Sequence, residues 1–235
     1  MNILFFGAHP DDLEILCGGT IAKCATLGHS VWMAVATNGN VGSPTLGQAE
    51  IGAIRNKEAL AASRILGAEG LIWIDENDEF LFDDEKTRLK FVDAIRQAKA
   101  EVVVTHNPND YHPDHIACSK LATDARILSA VRLIETEYSH LPKTPELFYM
   151  DSIAGLQFLP QHFVDITANF PAKSQALLAH ESQSQWVKAI FNQEITDLIN
   201  VQASFRGLQA GVKHAEAFVS PPYWPKGAAS LPFLI

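Results

Sequence analysis

Four short, unbroken apolar runs, each followed by a stretch of helical spacing, constrain this chain most tightly. Residues 2–6 run apolar up to Gly7, residues 30–36 form a second run, 71–74 a third and 101–105 a fourth, where Val102, Val103 and Val104 stand together. Short runs without polar alternation are strands buried on both faces. Between them, residues 13–27, 48–66 and 84–99 carry apolar residues at helical intervals, and the second of these stops at Gly67, a residue suited to the turn that ends a helix. Strands alternating with helices imply right-handed crossovers. The expected fold is therefore α/β: a Rossmann-like parallel sheet with helices on both faces and a site at the carboxyl ends of its strands.

Beyond the fourth run the spacing predicts a helix over 113–129, one more strand over 146–150, and amphipathic helices over 170–180 and 183–205. The tail, residues 220–235, holds four of the twelve prolines and is expected to wrap the surface or cover a pocket. No repeat, low-complexity tract or linker divides the chain, so residues 1–235 read as a single domain. Hydrophobic residues make up 47%, enough for a sizeable core. The net charge of −9 offers no basic stripe for nucleic acid and no polybasic membrane anchor. The first apolar run has no positive charge before it and breaks at Gly7, so it reads as neither a signal peptide nor a membrane span. Cys17, Cys24 and Cys118 are odd in number and lack a C-x-x-C pair, which reads as buried free thiols in a reducing cytoplasm.

The chemistry sits at two strand ends. His9-Pro10-Asp11-Asp12 follows the first strand, and His112-Pro113-Asp114-His115 follows the fourth. Proline is a natural first helical residue, so the polar side chains after it are expected in the first turn of a helix. One such cluster alone reads equally well as a helix cap. Two of them after buried strands can converge on one point. Two imidazoles and a carboxylate, with a position left for water, describe a catalytic zinc site, and His9, Asp12 and His115 supply that set. Asp11 and His112 then lie beside the metal as base and oxyanion donor, with Asp114 placed to hold His112 in a charged, donating form. The acidic run over 75–85, seven carboxylates in eleven residues, is by default a solvated loop, with Asp78 as the member that would point into a pocket at a strand end.

At these residues the chain resembles a known family. Ala8-His9-Pro10-Asp11-Asp12, Gly18-Gly19-Thr20-Ile21 and Asp110-Tyr111-His112-Pro113-Asp114-His115 look like the signatures of the LmbE-like, or PIG-L, zinc-dependent N-acetylglucosaminyl deacetylases. The resemblance continues through Thr37-Asn38-Gly39, Arg55 with Glu58, and Lys173, His180 and Ser182-Gln183. It implies zinc, or another divalent transition metal, on His9, Asp12 and His115, with Asp11 as general base, His112 stabilising the oxyanion and Asp114 orienting His112. It also implies substrate contacts at Arg55 and Asp78, and a small amino-sugar substrate deacetylated by hydrolysis. One departure is that Leu13 follows the Asp-Asp pair where many members have Glu, and no role is carried onto Glu14.

Other readings are a metal-dependent hydrolase of a different amide or ester, and a catalytically silent sugar-binding protein of the same fold. A dinucleotide-binding protein is disfavoured, because no G-x-G-x-x-G follows the first strand; Gly18-Gly19 lies within a helix and points to close packing. His106 reads as a packed or supporting histidine rather than a ligand, and His29, His140, His162 and His214 as ordinary. The apolar tail makes a homo-oligomer a fair expectation.

Overall fold

The computed structural model describes residues 1–222 and residue 231. The four apolar runs become β1 (Asn2–Gly7), β2 (Ser30–Thr37), β3 (Gly70–Glu76) and β4 (Val102–Thr105). They are joined by α1 (Asp12–Thr26), α2 (Gln48–Ile65) and α3 (Glu85–Gln97). After β4 come α4 (Pro113–Leu128) and β5 (Glu146–Met150). A single 3-10 turn (Ile153–Gly155) precedes β6 (His162–Asp165), then α5 (Phe170–Leu178), α6 (Glu181–Phe191), α7 (Ile195–Ala210) and β7 (Ala215–Val219).

The strands form one seven-stranded sheet in the order β3-β2-β1-β4-β5-β7-β6. The first five pair in parallel, with β1 between β2 and β4. β7 runs antiparallel to both β5 and β6, so the sheet is mixed at that edge rather than parallel throughout. The chain leaves β1 towards β2 and β3, then returns to lay β4 on the other side of β1. That reversal opens a crevice between the carboxyl ends of β1 and β4, the natural ligand position in such sheets.

Each face of the sheet carries its own core. On one, Ile3, Phe5 and Val104 pack with Ile21 of α1, Leu177 of α5 and Ile199 of α7. On the other, Leu4, Phe6 and Val103 meet Phe91 and Ile95 of α3 and Leu121 of α4. Phe6 stacks on Phe91 with ring centroids 4.8 Å apart.

The C-terminal third departs most from the sequence reading. β6 and β7 have four and five residues, too short for their spacing to be told from the helical segments around them. The expected helix over 183–205 is two helices, broken where Asn192 takes a left-handed conformation (φ 53°). The expectation for the tail falls mainly on residues outside those described.

α1 is kinked at Cys17 (φ −144°, ψ 16°). The kink frees backbone groups, and a buried ion pair takes them up. Lys173 Nζ donates to Ile15 O at 2.8 Å and to Glu216 Oε1 at 2.5 Å. Glu216 accepts the N–H groups of Gly19 (2.9 Å) and Thr20 (2.7 Å), acting as an anionic cap for the second half of the helix. A Cβ on Gly19 would come within 2.7 Å of Ile166, so the expected close packing is present at that glycine.

Candidate active site

Both polar clusters meet in the crevice. β1 ends at Gly7, and Ala8 to Pro10 form a turn. Asp11, the residue before α1, has φ 118°, an unfavourable conformation for a non-glycine residue. The helix therefore starts at Asp12, and Asp11 stands ahead of its first turn rather than within it. Asp12 turns back to accept the His9 N–H at 2.7 Å. In the second cluster Pro113 opens α4 as expected, with His112 as the preceding cap residue.

Asp12 links the histidines. Its Oδ2 lies 3.4 Å from His9 Nδ1 and its Oδ1 lies 3.3 Å from His115 Nε2. The other nitrogen of each ring faces carboxylates. His9 Nε2 is 3.2 Å from both Asp78 and Asp114, and His115 Nδ1 is 3.2 Å from Asp110. Among the described residues three groups bring possible metal-binding atoms within 4.8 Å of one another: His9, His112 and His115; Asp12, His106 and His115; and His9, Asp78 and Asp114. The expected ligands His9, Asp12 and His115 do not form one of these groups together: His9 and His115 share the first, and Asp12 joins His115 in the second.

The charge balance suits a cation. Burial works to lower the pKa of His9, but Asp12, Asp114 and Asp78 outweigh it and hold that ring well above its ordinary value. Burial opposes a charge on His115 as well, yet Asp12 and Asp110 bring it up to about 9. Burial would raise Asp12, but His115, His106 and His9 keep it well below the usual carboxylate range. The cluster favours positive charge at its centre, which a divalent ion bound by neutral imidazoles would supply. The donor set of imidazole nitrogen and carboxylate oxygen fits a borderline metal such as zinc.

Asp11 is pushed up to about 6 by burial, while Arg55 pulls it down and Asp12 pushes it further up. Arg55 is itself buried at 4% exposure and sits 3.6 Å from Asp11 Oδ1 and 3.8 Å from Asp78 Oδ2, donating to Pro10 O at 2.7 Å. The 37–47 loop wraps this guanidinium. A Cβ on Gly39 or Gly42 would come within 2.6 Å of the Arg55 side chain, and the left-handed conformation of Gly39 (φ 64°) favours glycine there on its own account.

Asp114 departs from its expected role. Its carboxylate faces His9, and it accepts the backbone N–H groups of Glu79 (2.8 Å) and Leu81 (3.2 Å). What reaches His112 is the Asp114 backbone N–H, which donates to Nδ1 at 3.2 Å. Burial and the neighbouring His9 and His115 lower the His112 pKa. A neutral ring with Nδ1 accepting carries its proton on Nε2, so His112 is a donor without being charged.

A cavity of about 500 Å³ opens on these residues. Of the eight expected site residues, His9, Asp11, Asp12, Arg55, Asp78, His112 and His115 line it, while Asp114 lies behind His9. The acidic loop is accordingly not wholly solvated: Asp78 is 4% exposed. Sequence reasoning gave no role to Asp110, which entered only as part of a motif, or to the apolar cavity residues of α6 and α7, whose spacing read only as that of amphipathic helices. His106, expected as a packed or supporting histidine, stands within one of the three possible metal-binding groups. That ring is buried, stacks on His115 at 4.0 Å, accepts the Ala8 N–H at 3.0 Å and lies 3.1 Å from Asp12. Burial and His115 bring it down to about 4, so it is neutral. Glu14 and His180 form a buried pair, 3.4 Å apart, for which only the resemblance at His180 gave a signal.

A mixed α/β sheet with a carboxylate-and-imidazole pocket at its switch point defines a candidate metal-dependent hydrolase. Residues 4–126 match the PIG-L family, described as GlcNAc-PI de-N-acetylase, and the chain belongs to that family. Its chemistry is that of a deacetylase, which hydrolyses an N-acyl amide. The chain is 27% identical to a diacetylchitobiose deacetylase of Thermococcus kodakarensis, over 92% of this chain and 81% of that protein. The crystal structure of a conserved protein of Thermus thermophilus is 32% identical, covers 94% of each chain and superposes with a TM-score of 0.81. A 4-oxalmesaconate hydratase of Pseudomonas putida is also similar, 27% identical over 75% of this chain and 71% of that protein. No described helix is long and apolar enough to cross a membrane.

Proposed function

We propose that this protein removes the acetyl group from an N-acetylglucosamine-type amino sugar or its conjugate, using zinc held by His9, Asp12 and His115. The observation that carries the reading is the bridging of His9 and His115 by Asp12, with a carboxylate behind each ring and Asp11 and His112 beside them on the cavity. A divalent transition metal supplies Lewis acidity there, acidifying water and polarising an amide carbonyl.

The chain's own groups do the rest. Asp11, buried and held in a conformation few residues adopt, takes the proton of the attacking water and passes it to the leaving amine. His112 Nε2–H donates to the oxygen that becomes negative. Arg55 keeps Asp11 and Asp78 in place and limits their mutual repulsion. Asp78 and Arg55 present polar groups to the sugar hydroxyls. The product is an amine that becomes cationic, and the carboxylates around the cavity favour it over the neutral amide.

Hydrolysis of another amide or ester uses the same groups, and only the substrate separates it. Hydration of a polycarboxylate such as the substrate of the hydratase relative fits less well. Among the described residues lining the cavity, Arg55 is the one lysine or arginine, and it already faces two carboxylates. In our reading the chain is a single domain working in the cytoplasm, supported by three buried free cysteines. Self-association belongs to the same reading as an expectation.

Acetate release by zinc-reconstituted protein from N-acetylglucosamine and a panel of its conjugates tests the function. Release that chelator and Asp11→Asn both abolish is the expected result. One zinc per chain with no release across a wide N-acyl panel would refute it in favour of the silent sugar-binding protein.

A further inference from the structure

The cavity that holds the reacting groups extends past them onto a wall of different chemistry. Ile153 of the 3-10 turn, Trp186 and Val187 of α6, and Ile195 and Leu198 of α7 line it. The polar described residues lining this part are Gln183 of α6 and, between α6 and α7, Gln193 and Glu194, and none of them is basic. Glu194 is already paired with Lys188.

The wall is fixed in place. The Ser182 N–H and hydroxyl both donate to Glu58 of α2, at 2.8 and 2.6 Å, and Gln183 Nε2 donates to Gly42 O at 3.2 Å. α6 is thereby tied to α2 and to the 37–47 loop that cradles Arg55. A preformed apolar surface beside polar, reaction-bearing groups is the layout of a ligand pocket in which the polar groups orient and the apolar ones supply affinity.

We propose that this wall is an aglycone subsite, and that the preferred substrate is an N-acetylhexosamine glycoside carrying an uncharged, apolar alkyl or aryl group. The proposal rests on the deacetylase reading above. Three observations favour that occupant. The volume, about 500 Å³, exceeds what one hexosamine ring needs and suits a ligand with a second group. Trp186 offers an aromatic surface for an apolar face. Among the described residues the wall itself offers a phosphate or carboxylate on the aglycone no lysine or arginine, and Arg55 of the same cavity is engaged by Asp11, Asp78 and Pro10 O, so such a group would lose its hydration without a partner there.

The test compares kcat/KM of the metal-loaded protein on N-acetylglucosamine, its phenyl and octyl glycosides, its 1-phosphate, and N-octanoylglucosamine. Calorimetric binding of octyl glucosaminide, the deacetylated glycoside, is measured alongside. The expected result is a preference of about tenfold or more for the phenyl and octyl glycosides over the free sugar, expressed in KM, with the phosphate poorest. Trp186→Gln and Leu198→Asn should shrink that ratio and weaken octyl glucosaminide binding, while Trp186→Phe retains both.

Equal kcat/KM for glycosides and free sugar would overturn the subsite and leave the deacetylase intact. So would a preference for the phosphate, or for N-octanoylglucosamine over the octyl glycoside, which would put the acyl chain on the wall. Absence of turnover on every substrate would defeat the deacetylase reading instead. In that case octyl glucosaminide binding that the wall variants weaken still supports an apolar subsite, and binding they leave unchanged overturns it.

Discussion

Asp114 Oδ2 and His9 Nε2 lie 3.2 Å apart, joining the second cluster to the first through a carboxylate that leaves His112 alone. The same carboxylate holds the Glu79 and Leu81 N–H groups, so one side chain fixes a metal-facing ring and the loop that brings Asp78 to it. A carboxylate on the outer nitrogen of a metal-binding imidazole sets its orientation and basicity.

Asp114→Asn should therefore weaken metal binding by about 10–100-fold. Competition between the protein and a chromogenic chelator measures it. If Asp114 acted only through His112, metal affinity would stay at the wild-type value while turnover fell.

Asp11→Asn should lower kcat by about 10²–10⁴-fold, the usual loss for a general base, with metal content retained at one per chain. Asp12→Asn should instead lose the metal. Elemental analysis paired with acetate release distinguishes the two. Equal metal loss in both variants would make Asp11 a ligand.

The three thiols provide a pH prediction away from the site's reacting groups. Burial is the main force raising all three from an ordinary value of 9.0, bringing Cys24 up to about 12 and holding Cys17 and Cys118 well above their usual range. Above pH 9 the unfolded chain gives up these protons while the folded one keeps them, so stability falls as pH rises through that range. Urea midpoints between pH 8 and 10.5 should decline for wild type and less for a Cys24→Ala, Cys118→Ala protein. A thiol-reactive chromogenic disulfide should label none of the three in the native protein within minutes, and all of them in denaturant.

Glu216→Gln removes the charge opposite a buried lysine and one of the acceptors for the Gly19 and Thr20 N–H groups. Breaking a buried pair in this way costs about 3–5 kcal/mol. Thermal and urea denaturation should show it. A change within about 0.5 kcal/mol, typical of a surface substitution, would contradict the capping role.

The parallel half of the fold was legible because its strands are buried on both faces, which writes them as continuous apolar runs ending at glycine or at polar residues. The antiparallel edge was not. His162-Phe163-Val164-Asp165 and Ala215-Glu216-Ala217-Phe218-Val219 are too short for periodicity to separate from helix. That the two motifs at two strand ends would meet in one pocket was readable, since chain position there fixes spatial position. Which carboxylate faces which ring was not, because it depends on side-chain direction over the first turn of α4: Asp114 turns to His9 while its N–H serves His112. The wall from Trp186 to Leu198 was hidden for another reason. Apolar residues at helical spacing look alike whether they face a core or a cavity.

The kink in α1 makes the N-terminal segment dependent on chain far downstream. The family match ends at residue 126, yet the groups that satisfy Ile15 O, Gly19 N and Thr20 N come from Lys173 and Glu216. A fragment carrying both histidine motifs would hold every proposed reacting group and still leave its first helix with bare polar ends against an apolar sheet. The half that matches the family is thus not an autonomous module. Excising it should yield a chain that neither folds nor retains the pocket, however complete its catalytic inventory.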